Sequence, residues 1–268
     1  MSKNPVVQGS YDMNCLREPV LRTLIHDLNL PEGSHGLDNA CGIGLQAMML
    51  AEEVGSDGQV TGLDNSTEIL DVGKQIVEDA GMSERVSFRH GDIAALPFEN
   101  ETFDWALSID GVGYGPGNTL RFLGEMKRVV KSGGTIAVAA WSSEMLLPGY
   151  PDLEARLNAT ASGIAPFVKG KDPRQHFFRI LGQFHELGMT ELKAGSYAGS
   201  VYAPLNEATY RALVSLFEMR WPNVEYELSP HDVNEFNRLC NPDSQDFILN
   251  IPEYYAHFTY TAFSGMKP

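Results

Sequence analysis

Residues 36–46 read GLDNACGIGLQ, and this stretch decides the fold. Two glycines, Gly42 and Gly44, stand just after a short apolar run that reaches Asp38, and a segment of good helix formers follows them. Glycine permits backbone angles and close approaches that a Cβ would block. A turn of this kind that opens a helix also presents N–H groups and a positive dipole end, which suit an anionic group. The stretch therefore predicts a strand-to-helix turn that either binds a ligand or serves only as a tight connection.

Strand-like and helix-like segments alternate around this turn as far as residue 141. Five apolar, β-rich segments predict strands: HGLDNA, QVTGLD, RVSFRHGD, TFDWALSID and TIAVAAW. Four further segments have helical spacing: CLREPVLRTLIHDL, LQAMMLAEEVG, TEILDVGKQIVEDAG and residues 120–130. Ser66 is a suitable N-cap, and Gly55 is a suitable helix stop. Strands that alternate with helices predict an α/β fold in which helices cover both faces of a mostly parallel sheet.

The regular alternation stops after Trp141, where prolines and glycines are scattered through a segment of mixed polarity. We interpret residues 142–173 and 204–250 as two insertions in a single domain that spans residues 1–268. Four more elements are predicted after Trp141. Helices are predicted for QHFFRILGQFHELG and NEATYRALVSLFEMRW, and strands for ELKAGSYAGSVYA and EYYAHFTYTAF. In open α/β sheets the ligand binds outside the carboxyl ends of the strands. We therefore expect the insertions to act as lids that select the substrate.

The composition is that of an ordinary globular protein, with 43% hydrophobic residues and a formal net charge of −15. Nucleic-acid backbones and anionic membrane surfaces require clustered Lys and Arg, so this charge argues against both as partners. The three cysteines, Cys15, Cys41 and Cys240, fit neither a disulfide framework nor a CxxC metal site. The first residues lack the apolar core of a signal peptide, and no apolar stretch approaches the roughly 20 residues that span a bilayer. We expect a cytoplasmic protein with no membrane span and no metal.

A second signal is the acidic residue at the end of the second predicted strand. Asp64 lies 20 residues beyond Gly44, where a carboxylate can accept hydrogen bonds from ribose hydroxyls. The pattern Gly42-x-Gly44-x-x-Ala47 also satisfies a dinucleotide fingerprint. The ligand is therefore expected to contain a ribose. An NAD(P)-linked oxidoreductase fits these two signals as well as any other nucleotide-binding enzyme does.

A third signal, GDIAALPFENETFDWALSID, separates the alternatives. A Gly-Asp pair ends the third strand at Asp92, an apolar Leu-Pro-Phe and a polar turn follow, and Phe103-Asp104 opens the fourth strand. Here the chain resembles the class I S-adenosylmethionine (SAM)-dependent methyltransferases, particularly the small-molecule group that includes ubiquinone and menaquinone C-methyltransferases. Four stations of that family occur in order: LDNACGIG, VTGLD, HGDIAALPFENETFD and RVVKSGGTIAVAAW. The resemblance implies a Rossmann-like, seven-stranded sheet whose last strand, EYYAHFTYTAF, is antiparallel.

The resemblance also implies which residues bind SAM, the expected cofactor, whose demethylated product is S-adenosylhomocysteine. The part of the turn from Ala40 to Gly44, including Cys41 and Gly42, would hold the amino-acid portion together with Asp38. Tyr11, just before the first predicted helix, would close over that end.

For the nucleoside, the resemblance implies that Asp64 binds both ribose hydroxyls. Asp92 would accept from the adenine 6-amino group, with the Ile93 N–H beside the ring. Ile109 and Asp110, at the end of the fourth strand, would flank the methionine portion and the acceptor.

Two residues depart from the family pattern. Ala40 stands where the family usually has glycine, and Asn65 stands where a non-polar residue usually packs on adenine. Both departures could weaken the site, so a non-catalytic SAM-binding protein is a third hypothesis beside the methyltransferase and the oxidoreductase. No Tyr-x-x-x-Lys hydride-transfer pattern supports the oxidoreductase.

The expected reaction is in-line transfer of a methyl group to a small, partly apolar acceptor. It needs a general base only if the pKa of the nucleophile is high, so a universal catalytic residue is not expected. The candidates are Asp110 and Tyr114, in the glycine-rich segment after the fourth strand, and the histidines His176 and His257. Asp110 serves equally well as a turn cap, and a histidine among aromatic residues is more often structural.

Overall fold

The computed structural model describes residues 5–113, 117–163 and 172–268, with side chains from residue 7 onward. Seven strands occur within these residues: β1 (His35–Asn39), β2 (Gln59–Asp64), β3 (Val86–His90), β4 (Phe103–Ile109), β5 (Val130–Met145), β6 (Thr190–Tyr202) and β7 (Tyr255–Met266). The same residues contain eight α-helices: α1 (Pro5–Asp27), α2 (Leu45–Glu53), α3 (Thr67–Asp79), α4 (Thr119–Val129), α5 (Pro151–Asn158), α6 (Ile180–Glu186), α7 (Glu207–Arg220) and α8 (Pro230–Cys240).

The strands form one sheet in the order β3-β2-β1-β4-β5-β7-β6. The first five strands of this order pair in parallel, as in Leu37 opposite Thr61 on β2 and Ala106 on β4. β7 is antiparallel, because its numbering falls as that of its neighbour β6 rises: Thr190 bonds to Met266, and Ser196 to Thr261. The predicted fold class, a mostly parallel seven-stranded sheet with an antiparallel last strand and helices around it, is confirmed.

Helix ends in the first half of the chain follow local chemistry. The Ser66 hydroxyl accepts a hydrogen bond from the Ile69 N–H at 3.3 Å, so the predicted N-cap of α3 is confirmed. Gly55 has φ +80° just beyond the end of α2, which is the left-handed conformation that stops helices. The central strands β1 and β4 are buried along almost their whole length, because both faces of a parallel sheet are covered.

The chain divides into two compact units. The core unit comprises Leu21–Trp141, Lys171–Tyr197 and Tyr260–Pro268, and the insertion unit comprises Met1–Val20, Ser142–Gly170 and Ala198–Thr259. In the core unit one apolar cluster joins β1 and β4 to α4 and α6, with Leu37, Phe103, Phe122 and Phe184 among its buried members.

The insertion unit has an apolar core of its own. Phe217 stacks on Trp221 with ring centroids 5.8 Å apart, and Phe247 packs edge-on against Phe217. The Trp221 indole N–H donates to the Asn158 side chain at 2.8 Å. This part of the chain is therefore packed around buried aromatic rings, as a folded unit is.

Three predicted elements differ from the structure, and two helices were not predicted. α1 begins at Pro5, well before the predicted start at Cys15, and β5 runs from Val130 to Met145, beyond both ends of TIAVAAW. The segment QHFFRILGQFHELG begins with 3-10 turns and becomes α-helical only at α6. The His176 side chain accepts from the Phe178 N–H and so caps a separate 3-10 turn before that helix. α5 and α8 lie in the insertions, where no helix was predicted.

Among the helices of the described residues, none combines the length and the hydropathy that crossing a bilayer requires. The described part of the chain also has no cluster of three or more His, Cys, Asp or Glu side chains arranged to hold a metal ion.

Candidate active site

The glycine turn is fixed to the end of the neighbouring strand. The backbone N–H groups of Ala40 and Cys41 both donate to the Leu63 carbonyl at 2.9 Å. Gly42 has φ +54° and Gly44 has φ +79°, so both glycines occupy the left-handed region that disfavours residues with a Cβ. A Cβ on Gly44 would overlap the Phe88 ring, whereas a Cβ on Gly42 would meet nothing within 4 Å. The turn is thus packed on one side and open on the other.

Asp64 is held by the turn that it faces. Its Oδ2 accepts from the Gly42 N–H at 3.0 Å, and its Oδ1 accepts from the Ser66 N–H at 3.0 Å. A carboxylate offers about four acceptor positions, so each oxygen has capacity for one more donor. The side chain is half-buried. The arrangement is a preoriented carboxylate beside an open backbone, which suits a pair of vicinal hydroxyls.

Asp92 and Ile93 lie in the loop after β3. The Asp92 side chain is exposed, and its Oδ1 accepts from the Ala94 N–H at 2.8 Å. Ile93 is half-buried and packs against the core cluster. Asn65, which follows Asp64, is exposed.

Two residues of α4 hold this loop, and sequence analysis missed both. The Arg128 guanidinium donates to the carbonyls of Phe98 at 2.8 Å and Leu96 at 2.9 Å. The Glu125 carboxylate accepts from Arg128 and also from the Leu96 N–H at 2.8 Å. An acid and an arginine three residues apart on a helix were the available signal.

Asp38, Cys41 and Ile109 are buried at the ends of β1 and β4. Asp38 pairs with Leu107 in the parallel register, so these two strands carry their carboxyl ends side by side. Burial, followed by the charges of Asp38 and Asp64, raises the pKa of the Cys41 thiol far above its usual range. Cys41 is therefore a small neutral residue of the turn.

The core unit brings together ten of the eleven predicted cofactor residues: Asp38, Ala40, Cys41, Gly42, Gly44, Asp64, Asn65, Asp92, Ile93 and Ile109. Tyr11 is exposed on α1 and belongs to the insertion unit.

The acceptor candidates have different surroundings. Both carboxylate oxygens of Asp110 accept hydrogen bonds, Oδ1 from the Trp141 N–H and Oδ2 from the Tyr260 hydroxyl, each at 2.9 Å. His176 accepts from the Phe178 N–H through Nδ1 at 3.1 Å, which requires the neutral form with its proton on Nε2.

His257 lies on β7 in the insertion unit, near a carboxyl whose pKa it acts to lower. That carboxyl is Glu154, whose pKa is raised by burial, while hydrogen bonds from the N–H groups of Leu146 and Leu147 act in the opposite direction. Tyr114 lies outside the described residues.

The donors and acceptors of the core unit fit SAM. The open face of Gly42 is a space that a Cβ would begin to fill. α2 begins at an N-cap glycine without a side-chain cap, so a ligand carboxylate suits its first turn. The spare acceptor positions of Asp64 suit ribose hydroxyls, and exposed Asp92 suits an amino group.

The chain is similar to known methyltransferases. Residues 37–134 match the family model described as a methyltransferase domain. The chain is 30% identical over 193 residues to the demethylmenaquinone methyltransferase of Bacillus subtilis (strain 168), covering 66% of this chain and 79% of that protein. It is 32% identical over 197 residues to the demethylmenaquinone methyltransferase of Staphylococcus aureus (strain JH9), covering 68% and 78%.

A solved structure shares the fold. The SAM-dependent methyltransferase from Aquifex aeolicus superposes with a TM-score of 0.52 at 19% identity, covering 72% of this chain and 91% of that one. The oxidoreductase alternative receives no support from the comparisons.

Proposed function

The chain belongs to the class I SAM-dependent methyltransferases that act on small molecules, and from that premise we propose which residues hold the cofactor and what kind of acceptor it methylates. The observation that carries the proposal is the Asp64 carboxylate, oriented by two backbone N–H groups beside the open side of the glycine turn.

We propose that Asp64 binds both ribose hydroxyls with the acceptor positions that Gly42 and Ser66 leave available. Asp92 accepts from the adenine amino group, since its carboxylate is exposed and one oxygen is already oriented by the Ala94 N–H. The first turn of α2 binds the carboxylate of the amino-acid portion.

When bound, SAM supplies a methyl group that its sulfonium already activates for in-line displacement. The residues of the chain therefore have to hold and align the two reactants and exclude water, which is enough to supply a large part of the rate enhancement. Each carboxylate oxygen of Asp110 accepts one hydrogen bond from another strand, and the Nδ1 of His176 accepts one from the Phe178 N–H, so both side chains are held in place by the fold. We propose that neither serves as a general base, which suits an acceptor with a nucleophilic carbon whose displaced proton is released to solvent after transfer.

For the acceptor, we propose a small, partly apolar molecule of the quinol class, and not a nucleic acid, whose phosphates a net charge of −15 would repel. The relatives' name makes reduced demethylmenaquinone the first compound to test. About a third of the chain lies outside the matched region, and we propose that the insertions 142–173 and 204–250 adapt a shared core to this chain's own acceptor.

The cofactor assignment is tested by calorimetric titration with S-adenosylhomocysteine and, separately, NADH. We expect micromolar affinity for the first compound only. Asp64→Ala should weaken binding at least tenfold, because hydrogen bonds to a charged carboxylate contribute about 1.5–3 kcal/mol each. Asp71→Ala, which removes an exposed carboxylate paired with Lys74 on α3, is the matched control and should bind like the native protein.

The outcomes separate the hypotheses. Failure of the native protein to bind S-adenosylhomocysteine contradicts the cofactor assignment. Binding without transfer of a labelled methyl group to reduced demethylmenaquinone rejects that acceptor and leaves the cofactor assignment standing.

A further inference from the structure

The end of β4 and the residues after it, 108–113, are held by hydrogen bonds within the segment and to β5. The Asp110 N–H donates to the Ala139 carbonyl at 2.9 Å, and the Val112 N–H donates to the Ser108 hydroxyl at 3.0 Å. Asp110 itself has φ +54°, a conformation that costs a residue with a Cβ free energy. Such a conformation persists only where the surroundings impose it.

The Asp110 side chain contacts two other strands, β5 and β7. Its carboxylate joins the Trp141 N–H on β5 to the Tyr260 hydroxyl on β7, and the two rings pack edge-to-face with centroids 5.7 Å apart. Tyr260 is buried, so its hydroxyl needs this partner. A hydrogen bond from a hydroxyl to a carboxylate is also among the stronger kinds.

The same segment packs against Ala40 in the glycine turn. A Cβ on Gly111 would lie 2.6 Å from the Ala40 Cβ and 2.6 Å from the Ser108 hydroxyl. The position of Gly111 therefore sets how closely this segment approaches the turn, and Asp110 is the residue that fixes Gly111.

We propose that Asp110 is a positioning residue of methyl transfer: its carboxylate, held by Trp141 and Tyr260, fixes the segment from Ile109 to Gly113 against the cofactor turn at Ala40. The inference rests on the proposed function, since it gives that segment the task of keeping cofactor and acceptor aligned. It also replaces the earlier expectation that Asp110 is a base or a polar handle for the acceptor.

Three substitutions separate the possible roles of this carboxylate. Asp110→Asn keeps the shape, tolerates the left-handed backbone and retains an acceptor for the Trp141 N–H, while its amide group can donate to the Tyr260 oxygen. Asp110→Gly removes the side chain and relieves the backbone, so it isolates the loss of the carboxylate. Tyr260→Phe removes one donor. Tyr197→Phe is the matched control, because it removes a tyrosine–aspartate hydrogen bond to Asp27 elsewhere in the core unit.

The first measurement is amide hydrogen exchange without ligand, followed by mass spectrometry of peptides that cover residues 38–44 and 108–113. We expect Asp110→Gly to speed exchange in both peptides at least tenfold, Tyr260→Phe to speed it less, and Asp110→Asn and Tyr197→Phe to leave it unchanged. Unchanged exchange in Asp110→Gly would overturn the inference, whatever the protein binds.

The second measurement is the rate of labelled methyl transfer. For a positioning role, Asp110→Gly should lower kcat on the order of tenfold to 100-fold, whereas Asp110→Asn should keep the native kcat and the native pH profile. If Asp110→Asn loses as much activity as Asp110→Gly, the carboxylate acts as a base and the inference is wrong. Failure of the native protein to bind S-adenosylhomocysteine would instead contradict the proposed function, and the exchange results would still stand.

Discussion

Ala40 shows at the scale of one residue how this chain accommodates a departure from its family. Its φ is +68°, in the left-handed region where the family's usual glycine has no penalty and alanine does. Its methyl group occupies the space beside Gly111, where an added Cβ would lie 2.6 Å away. The alanine is therefore accepted because the residue opposite it is a glycine.

This pairing predicts a compensating double substitution. Gly111→Ala should lower the free energy of unfolding by about 1–3 kcal/mol, since it overpacks the space between Ala40 and Ser108. Ala40→Gly should be neutral or slightly stabilising, because the relief of left-handed strain is partly offset by greater freedom of the unfolded chain. Ala40→Gly with Gly111→Ala should recover at least about 0.5 kcal/mol of the loss. Urea unfolding of the four proteins measures all three effects.

The alternative outcome is informative as well. If the double variant is as unstable as the sum of the single variants, the two positions do not share one space, and the Ser108 hydroxyl alone limits Gly111. Gly182→Ala is a suitable control, since a Cβ at this helical glycine meets nothing within 4 Å.

At the same scale, the sequence predicted the local conformation of single residues better than it predicted their hydrogen-bond partners. The N-cap at Ser66 follows from local chemistry and is confirmed, and both glycines of the predicted tight turn have positive φ. The hydrogen-bond partners of Asp110 could not be predicted, because Tyr260 is distant in the chain and comes near only when the sheet has formed. A lone aspartate after a strand therefore looks the same in sequence whether it serves catalysis or structure.

At the scale of elements, α4 supports the loop that carries Asp92. Arg128 holds two carbonyls of this loop, and Glu125 holds both Arg128 and the Leu96 N–H. The Arg128 guanidinium is the main reason that the pKa of Glu125 lies below its ordinary value of 4.5. The helix thus fixes the adenine side of the proposed cofactor site through one ion pair.

This ion pair predicts a dependence of stability on pH. Because the pKa of Glu125 is lowered by folding, its contribution is complete above pH 4.5 and is lost as the pH falls through the folded-state pKa. Glu125→Gln should cost about 1.5–3 kcal/mol at pH 7, and the difference from the native protein should shrink below pH 4.5. Urea unfolding between pH 7 and pH 3.5 measures this trend. A constant difference across that range would contradict it, and the exposed Glu78→Gln on α3 is the control.

Helices and strands were predicted well where the pattern of apolar residues is regular along the sequence, and poorly where it is not. The five strands and three helices between residues 35 and 141 follow from alternating apolar and polar periods. α8 was missed because PHDVNEFNRLC is largely polar, although Ser229 before Pro230 is a typical helix start and the Ser229 hydroxyl does cap Asp232. Helix α5 likewise depends on Glu154, whose carboxylate binds the backbone of the preceding turn.

At the scale of the whole molecule, the chain contains two compact units with separate cores. The loss of regular pattern predicted insertions at residues 142–173 and 204–250, but it could not predict the packing inside the insertion unit, because that packing pairs residues far apart in sequence. Arg220 and Glu144 are an example: the Arg220 Nε donates to the Glu144 carboxylate at 2.9 Å, and the Glu144 side chain is only 1% exposed.

This buried ion pair gives a test of whether the insertion unit can be weakened by itself. Arg220→Met removes the arginine that pairs with the buried Glu144 carboxylate. Breaking a buried ion pair in this way typically costs about 3–5 kcal/mol, and we expect the insertion unit to lose about that much stability. Arg220→Met together with Glu144→Gln should restore much of the loss, since removing both charges leaves none uncompensated. Arg211→Met, which breaks an exposed pair with Glu207 on the same helix, should cost under about 1 kcal/mol.

The measurement is hydrogen exchange resolved by peptide, with S-adenosylhomocysteine affinity determined in parallel. We expect Arg220→Met to speed exchange across residues 142–163 and 204–259, while residues 38–44 and 64–66 keep their native rates and the affinity changes less than twofold. That result would support the assignment of the cofactor site to the core unit, where ten of the eleven predicted residues lie. Equal acceleration in both units, with a matching loss of affinity, would contradict this expectation and would mean that the two units unfold cooperatively.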